Sequence, residues 1–153
     1  MPDALRYALK LLSYRGRSEN ELSERLARKG FPQDEMDSAI GRLRAMGYID
    51  DAALAETLKR TALDIKLLGR EGARRFLRQR GIRREDIDKA LKGYDEFDSA
   101  LKLASKKGRA LNIGGARSPN IAGARSPLAA ALQRRGFSAD TIRKVIKSDK
   151  EAL

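Results

Sequence analysis

The sequence contains no cysteine and no histidine among its 153 residues. Without cysteine, the chain can form no disulfide and offers no thiolate ligand to a metal ion. Without histidine, it lacks the side chain that most often serves as a general base and as a metal ligand. Both absences argue against an enzyme. We therefore expect no catalytic residue, no cofactor, no metal ion and no small-molecule substrate.

Long apolar runs are also missing. No segment approaches the roughly 20 consecutive apolar residues that span a bilayer. The opening stretch "MPDALRYALKLL" carries Asp3, Arg6 and Lys10 within its apolar run and lacks the small-residue cleavage site of a signal peptide. No convincing alternation with a period of two, which is typical of strands, is visible. The sequence therefore predicts a cytoplasmic, all-α protein that does not contact membranes.

Positive charge is abundant and unevenly distributed. The net charge is +12. Residues 1–58 hold nine basic and ten acidic side chains, residues 59–92 hold twelve and five, and residues 99–139 hold eight and none. This distribution predicts an anionic partner for the later part of the chain, either nucleic acid or a protein with acidic grooves. The alternative is a basic protein that its charge merely keeps in solution.

One sequence pattern occurs three times. The stretch "ELSERLARKGFPQDEMDSAI" at 21–40 aligns with residues 72–91 and 127–146. Each copy joins a basic residue, a glycine and a large apolar residue: Lys29-Gly30-Phe31, Arg80-Gly81-Ile82 and Arg135-Gly136-Phe137. A glycine after a helix adopts the left-handed conformation without a Cβ penalty, and a basic residue before it suits the negative end of the helix dipole. Each copy therefore predicts one helix that stops at the glycine and another that follows.

A third helix is predicted before each pair. Residues 4–14, 51–65 and 96–104 place apolar side chains at helical spacing. These side chains are Leu54, Leu58, Ala62 and Ile65 in the second segment, and Phe97, Ala100, Leu101 and Ala104 in the third. Ser18 with Glu21 predicts a capping box, and Ser138 predicts another N-cap. We expect an elongated array of three tandem three-helix repeats, whose apolar faces are buried by stacking. The predicted repeats are 1–48, 49–93 and 94–153.

The third repeat contains a short tandem duplication. The stretch "IGGARSP" at 113–119 is followed by "IAGARSP" at 121–127. Glycine, serine and proline predict an inserted surface loop at about 112–127, which carries Arg117 and Arg125. A phosphate-binding loop is not favoured because the G-x-x-x-x-G-K-[ST] pattern and a preceding strand are both missing.

Basic side chains of the second and third repeats form the candidate binding face. Arg70, Arg74 and Arg78 recur every four residues and should line one stripe of a helix whose Ala73 and Leu77 face the core. Like charges at this spacing destabilise a helix. The stripe is therefore either a binding face or a solvent-exposed face that lowers the stability of the helix. The complete candidate set is Arg70, Arg74, Arg75, Arg78, Arg83, Arg84, Lys106, Lys107 and Arg109.

Two other groups of residues invite a functional interpretation that we do not favour. Asp50 and Asp51 could be imagined as a carboxylate pair for metal binding or acid–base chemistry, but a cap at a helix start explains them better. The four tyrosines could stack on nucleic-acid bases. They are not clustered, and we expect them to pack between helices: Tyr7, Tyr14, Tyr48 and Tyr94.

Three stretches carry a family resemblance: "LLSYRGRSENELSERLARKGF", "MGYIDDAALAE" and "RQRGIRREDID". Their residues and spacing resemble the RecX family, bacterial regulators of the recombinase RecA. The pattern departs at Leu54, where a Phe is usual, and at Gly72-Ala73, which replaces a more apolar pair. The family's signature residues look structural, so none is carried over as a contact.

The resemblance implies a protein without catalytic activity that binds the RecA–DNA filament. Such binding would suppress ATP hydrolysis, strand exchange and co-protease action, in control of DNA repair and the SOS response. The charge of the chain additionally predicts weak, non-specific binding to single- or double-stranded DNA.

A helix-turn-helix DNA-binding regulator is the alternative function. Such a protein presents a recognition helix with side chains that can bond to base edges. The candidate helices at 33–46 and 84–91 instead carry acids, which suit a phosphate-lined groove poorly: Asp34, Glu35, Asp37, Glu85, Asp86 and Asp88.

Overall fold

The structure, a computed structural model, describes residues 3–113 and 127–151, with side chains described for 3–107 and 127–148. Within these ranges the chain is helical and contains no strand, which confirms the all-α prediction. The helices are α1 (Asp3–Tyr14), α2 (Glu19–Lys29), α3 (Gln33–Ala45), α4 (Asp51–Arg60), α5 (Arg70–Gln79), α6 (Arg84–Ala90), α7 (Glu96–Ile113), α8 (Pro127–Arg134) and α9 (Ala139–Glu151). The duplicated loop, with Arg117 and Arg125, lies outside the described residues.

The chain forms two compact units. Unit 1 consists of Met1–Leu58 and Phe76–Ala90, and unit 2 consists of Lys59–Arg75 and Leu91–Leu153. The predicted repeat boundaries follow the three copies of the sequence pattern and not these units, and they stay a prediction.

Unit 1 has an apolar core formed by α1, α2 and α3. Its buried side chains come from all three helices and the loop after α3: Ala4, Leu5, Ala8, Leu11, Leu22, Leu26, Met36, Ala39, Ile40, Leu43 and Ile49. Tyr7 and Phe31 pack against this core with ring centroids 6.0 Å apart. Lys29 Nζ lies 5.4 Å from the ring centroid of Tyr7, a cation–π distance. Lys29, the basic residue of the first copy, therefore contacts a side chain of the same group of three helices.

Unit 2 has a core of the same construction. Its buried side chains come from α7, α8, α9 and the segments that precede α5 and α9: Leu67, Ala100, Leu103, Leu132, Phe137 and Val145. Tyr94 is buried and donates from its hydroxyl to the carbonyl oxygen of Leu68 at 2.8 Å. Burial raises the pKa of Tyr94, and the nearby carboxylates of Glu96 and Asp64 raise it further, so this hydroxyl stays protonated.

The three glycine stops have the predicted geometry. Gly30, Gly81 and Gly136 have φ angles of 94°, 78° and 82°. In each copy the N–H of the following apolar residue donates to a carbonyl five residues earlier, as from Phe31 to Leu26 at 3.3 Å. This is the bond that closes a Schellman motif. The repeated pattern thus encodes a repeated helix end.

Both predicted N-caps are confirmed. The hydroxyl of Ser18 accepts from the N–H of Glu21 at 3.1 Å, while the N–H of Ser18 donates to the Glu21 carboxylate at 3.3 Å. Ser138 caps α9 by accepting from the N–H of Thr141 at 3.2 Å. The hydroxyls of Ser18 and Ser138 and the carboxylate of Glu21 thus accept from backbone N–H groups at helix starts, which have no partner within the helix.

Two predicted helix faces are partly wrong. A π-helical turn at Thr61–Ile65 continues α4, and its wider turn rotates the side chains that follow. Ile65 is therefore 73% exposed, and Leu67 is buried instead. On α7 the buried side chains are Ser99, Ala100 and Leu103, whereas the predicted core residues Phe97 and Leu101 are exposed.

The expectation that all four tyrosines pack between helices is correct for two of them. Tyr94 is buried and Tyr7 packs against the core of unit 1. Tyr14 and Tyr48 are 73% and 59% exposed. Tyr14 is the last residue of α1 and Tyr48 follows α3, so both lie where the chain leaves a helix. Helical periodicity does not govern the direction of a side chain at such a position.

Candidate functional site

Helix α5 carries the predicted arginine stripe. Ala73 and Leu77 have no exposed surface, which confirms the predicted core face. Arg70 and Arg78 are exposed, whereas Arg74 is half-buried. The Nε atom of Arg74 lies 3.6 Å from an oxygen of Glu71, one turn earlier. The stripe is therefore solvent-facing at both ends and partly neutralised at its centre.

The remaining candidates in unit 2 have varied surroundings. Arg75 is exposed and donates to the carbonyl oxygen of Arg134 at 3.4 Å, close to the limit of a hydrogen bond. Lys106 is exposed and Lys107 is half-buried. The side chain of Arg109 lies outside those that the structure describes.

Two of the candidates in unit 1, Arg83 and Arg84, form weak ion pairs. Arg83 lies 3.9 Å from an oxygen of Glu19, and Arg84 lies 4.0 Å from an oxygen of Asp88. Their side chains are 64% and 91% exposed. Exposed pairs at such distances contribute at most about 1 kcal/mol. These guanidinium groups are therefore accessible to an anionic partner at little energetic cost.

The candidate set falls in both compact units. Arg78, Arg83 and Arg84 belong to unit 1, while Arg70, Arg74, Arg75, Lys106, Lys107 and Arg109 belong to unit 2. Each unit by itself carries several basic side chains of the set, so either could contribute to binding an anionic surface.

Unit 1 also contains a polar contact that links successive copies of the sequence pattern, which we call the unit 1 joint. Gly81 lies so close to α2 that a Cβ there would meet the hydroxyl of Ser18 at 2.5 Å. Asn20 donates to the carbonyl oxygen of Gly81 at 3.1 Å, and Arg80 donates to that of Gly16 at 3.0 Å. The glycine stop of the second copy is thereby held against the start of α2.

The unit 2 joint repeats this arrangement one copy later. A Cβ on Gly136 would meet the backbone nitrogen of Gly72 at 2.1 Å, and one on Gly72 would meet the carbonyl oxygen of Arg135 at 2.0 Å. The N–H of Gly69 donates to that same oxygen at 2.9 Å, and the Arg135 guanidinium donates to the carbonyl oxygen of Lys66. The departure at Gly72 is therefore a steric requirement of the joint.

A carboxylate at the start of a third helix completes each joint. Asp51, the first residue of α4, accepts from the N–H of Glu19 at 3.0 Å. Glu96, the first residue of α7, accepts from the N–H of Arg70 at 2.8 Å and from the backbone and hydroxyl of Ser138 at 3.2 and 2.6 Å. The hydroxyl of Thr141 also donates to Glu96. Glu19 and Arg70 begin α2 and α5, so the two carboxylates occupy matching places.

The two carboxylates differ in pKa. Burial raises the pKa of Asp51, and its single backbone hydrogen bond only partly offsets this effect. Burial also raises the pKa of Glu96, but the hydrogen bonds from Arg70, Ser138 and Thr141 together bring it below its ordinary value. Sequence reasoning missed both roles. The matching positions of these acids at helix starts were the available signal.

No acid–base pair forms at Asp50 and Asp51. Asp50 accepts from the N–H of Ala53 at 3.1 Å and so caps α4, as predicted, whereas Asp51 is engaged with α2. Among the described residues, no group of three or more carboxylates could hold a metal ion. No helix in the described part of the chain is long and apolar enough to cross a membrane.

The acids of α3 and α6 face solvent. Five of the six are exposed and Asp86 is half-buried: Asp34, Glu35, Asp37, Glu85, Asp86 and Asp88. The faces on which a helix-turn-helix protein would read DNA therefore carry negative charge, which repels phosphates.

Known proteins resemble this chain in sequence and in structure. A family model described as "RecX, first three-helix domain" matches residues 4–43. The regulatory protein RecX of Chlorobaculum tepidum is 34% identical over 144 residues, covering 94% of this chain and 86% of the relative. That of Thermotoga petrophila is 36% identical over 143 residues, covering 93% and 81%.

Solved structures agree with these relatives. A crystal structure of a regulatory protein RecX matches with a TM-score of 0.75 and 27% identity, covering 94% of this chain and 71% of the other. RecX from Lactobacillus salivarius matches in fold with a TM-score of 0.77 at 24% identity, covering 95% and 93%. The relatives are named regulatory proteins and not enzymes. From the repeated glycine-stopped helices, the fold and these relatives together, the chain belongs to the RecX family.

Proposed function

We propose that this protein binds the RecA–DNA filament and inhibits its ATPase, recombinase and co-protease activities, in control of DNA repair and the SOS response. Membership of a family of regulatory proteins is the observation that carries this proposal. The absence of cysteine and histidine from the sequence supports a role in binding rather than in catalysis. The protein acts in the cytoplasm, where the filament forms.

The proposed contact surface consists of the basic side chains of the candidate set. A nucleoprotein filament presents both phosphates and acidic protein groups, and guanidinium groups pair with either through charge-assisted hydrogen bonds. Arg70 and Arg78 are exposed on α5, and Arg84 is 91% exposed at the start of α6. These side chains can meet the filament without the loss of a strong internal ion pair.

The organisation of the chain suits such a surface. We propose that the copies at 1–48, 49–93 and 94–153 act as three three-helix repeats, each of which offers part of the contact. Weak, non-specific DNA affinity contributes through the same positive charges, and it falls as salt concentration rises.

A RecA ATPase assay on single-stranded DNA tests the proposed function. We expect sub-stoichiometric amounts of this protein to lower the rate of ATP hydrolysis, because one bound regulator blocks part of a filament of many subunits. An equal amount of bovine serum albumin serves as the control for protein added. An unchanged rate at a protein-to-RecA ratio of one to one would refute the proposal.

A further inference from the structure

The first glycine stop, unlike the two later ones, has nothing packed against it. A Cβ placed on Gly81 or Gly136 would collide with the start of an earlier helix, whereas a Cβ on Gly30 would meet no atom within 4 Å. Gly30 is accordingly exposed, while Gly81 and Gly136 are half-buried. The end of α2 is therefore an unoccupied version of a surface that is occupied in both later copies of the pattern.

The glycine stop of unit 2 shows what such a surface binds. The carbonyl oxygens of Arg135 and Gly136 accept from the N–H groups of Gly69 and Glu71 at 2.9 and 3.2 Å. These donors lie at the start of α5, so the negative end of one helix meets the positive end of another. The corresponding carbonyl oxygens at the end of α2 accept no hydrogen bond within the described residues.

Free donors lie beside these free acceptors, in the segment 28–35 that we call the α2–α3 turn. Pro32, the N-cap of α3, offers no side-chain acceptor. The N–H groups of Gln33, Asp34 and Glu35 therefore have no partner in the part of the chain that the structure describes. Carbonyl groups point beyond the C-terminal end of a helix and N–H groups beyond its N-terminal end, so both sets face out of this turn.

The charged side chains of the α2–α3 turn are complementary in the same way. Arg28 at the end of α2 and Asp34 and Glu35 at the start of α3 are exposed, and none of the three has an ion pair among the described side chains. The two acids line a cleft of about 260 Å³ together with the apolar side chains of Leu5 and Ala39. A long basic side chain suits such a cleft, because its stem packs on apolar atoms while its charged head reaches carboxylates.

We propose that the α2–α3 turn is the interface of a two-fold symmetric dimer of this chain. The end of α2 in one copy meets the start of α3 in the other, and symmetry forms the reverse contact at the same time. Arg28 of each copy reaches Asp34 and Glu35 of the other, and the free backbone groups bond reciprocally. A different protein would need acceptors, donors and both signs of charge in this order, whereas a second copy supplies them by symmetry.

The dimer is weak. The turn is small beside the interfaces of stable dimers, and the net charge of +12 makes two copies repel one another. Association therefore requires a high protein concentration. The proposal involves unit 1 alone and does not depend on the proposed action on RecA.

Sedimentation equilibrium of the full chain tests the dimer at concentrations from about 10 µM to 1 mM, which bracket weak association. The buffer contains about 0.15 M salt, at which the Debye length of about 8 Å screens repulsion between distant charges. We expect the average mass of the wild type to rise with concentration towards that of two chains. A mass that stays at that of one chain overturns the proposal, because solvent or a different protein then meets the turn.

Charge reversal on either side of the turn sharpens this test. The acidic variant is Arg28→Glu, Lys29→Glu, and the basic variant is Asp34→Lys, Glu35→Lys. Each variant alone places like charges opposite one another, so we expect at least about tenfold weaker association than in the wild type. An equimolar mixture of the two restores every pair between unlike copies and should associate within about threefold of the wild type.

The matched control is Lys89→Glu, Lys92→Glu, which reverses the same charge at two exposed positions outside the turn. It should associate as the wild type does. Circular dichroism checks that each variant is folded, and the mixture provides a second check because unfolded chains could not restore the dimer. Equal weakening in the control, or a mixture that stays monomeric, overturns the proposal.

An added thiol tests the position of the two-fold axis. The chain contains no cysteine, so Pro32→Cys places a single thiol in the middle of the turn, where symmetry brings it near its equivalent. Ala53→Cys, also exposed but on α4, is the control. A disulfide requires Cα atoms within about 7 Å, so we expect oxidised glutathione to cross-link Pro32→Cys at least about tenfold faster than Ala53→Cys. Equal rates of cross-linking overturn the proposal.

Discussion

In the unit 1 joint, Gly81 packs against the side chains of Ser18 and Asn20, whereas in the unit 2 joint Gly136 packs against the backbone of Gly72. Both joints bring a glycine stop to the start of an earlier helix. The Ser18 hydroxyl can rotate to make room at the cost of its capping hydrogen bond, but backbone atoms cannot move without displacing a helix. The same sequence pattern thus yields one adaptable contact and one rigid contact.

The carboxylates of the two joints, Asp51 and Glu96, also differ in the number of hydrogen bonds that they accept. Asp51 receives one backbone hydrogen bond in unit 1, while Glu96 receives hydrogen bonds from the starts of both α5 and α9 in unit 2. In unit 1, the ion pairs of Glu21 with Arg15 and Arg80 compensate for the smaller number of hydrogen bonds at Asp51. Stability should therefore depend on backbone fit and Glu96 in unit 2, and on distributed charges in unit 1.

The largest expected effect comes from a methyl group added at a glycine stop. Gly136→Ala adds a clash with the Gly72 backbone to the strain of a positive φ angle, so we expect a loss of roughly 2–5 kcal/mol in the free energy of unfolding. Urea denaturation measures this change.

Gly30→Ala is the matched control, because its φ angle of 94° is similar but no atom lies within 4 Å of the added Cβ. It should cost only about 1–2 kcal/mol. Gly81→Ala should fall between the two. Equal losses at Gly30 and Gly136 would show that the joint is not rigid.

Loss of the carboxylates should have the next largest effect. Glu96→Ala removes hydrogen bonds to a charged group and should cost about 2–3 kcal/mol, whereas Asp51→Ala removes one bond and should cost about 1 kcal/mol. Urea denaturation of both variants at pH 7 makes the comparison. A larger loss at Asp51 would reverse our ranking of the two joints.

The pH dependence of stability should have opposite signs at the two carboxylates. The folded-state pKa of Glu96 is lowered, so its contribution is present above the unfolded value of about 4.3 and is lost as pH falls through the folded pKa. The folded-state pKa of Asp51 is raised, so its contribution is present below about 3.9 and is lost as pH rises through the folded pKa.

Urea denaturation between pH 3 and 7 should show these signs. The advantage of the wild type over Glu96→Gln should shrink on acidification, while its stability relative to Asp51→Asn should fall as pH rises. The same sign for both variants would contradict the assignment of the two environments.

The smallest effect on stability is expected at Arg84. Its ion pair with Asp88 is exposed and spans 4.0 Å, so Arg84→Gln should change the free energy of unfolding by less than about 0.5 kcal/mol. Thermal denaturation measures this change. A loss above 1 kcal/mol would mean that Arg84 serves the fold and not a partner.

The sequence predicts what is encoded locally. Glycine stops, the capping box at Ser18 and the cap at Ser138 depend on residues within one helical turn, and all are confirmed. The sequence also predicts the buried Ala73 and Leu77, because helical periodicity fixes that face.

Contacts between copies could not be predicted in this way. The sequence pattern relates Arg135 to the helix dipole, yet its guanidinium donates to the carbonyl oxygen of Lys66, 69 residues earlier in the chain. The exposure of Ile65 follows from a π-helical turn that no spacing pattern signals. The roles of Asp51 and Glu96 likewise exist only once the helices have packed.

The central proposal is that the arginine stripe of α5, and not charge alone, meets the RecA filament. The most direct test measures inhibition of RecA ATPase by the folded triple variant Arg70→Ala, Arg74→Ala, Arg78→Ala. The control is Arg6→Ala, Arg28→Ala, Arg42→Ala, which removes the same charge from exposed positions of unit 1. We predict that the α5 variant needs at least tenfold more protein for half-inhibition while the control acts as the wild type does. Equal inhibition by both variants would contradict the claim.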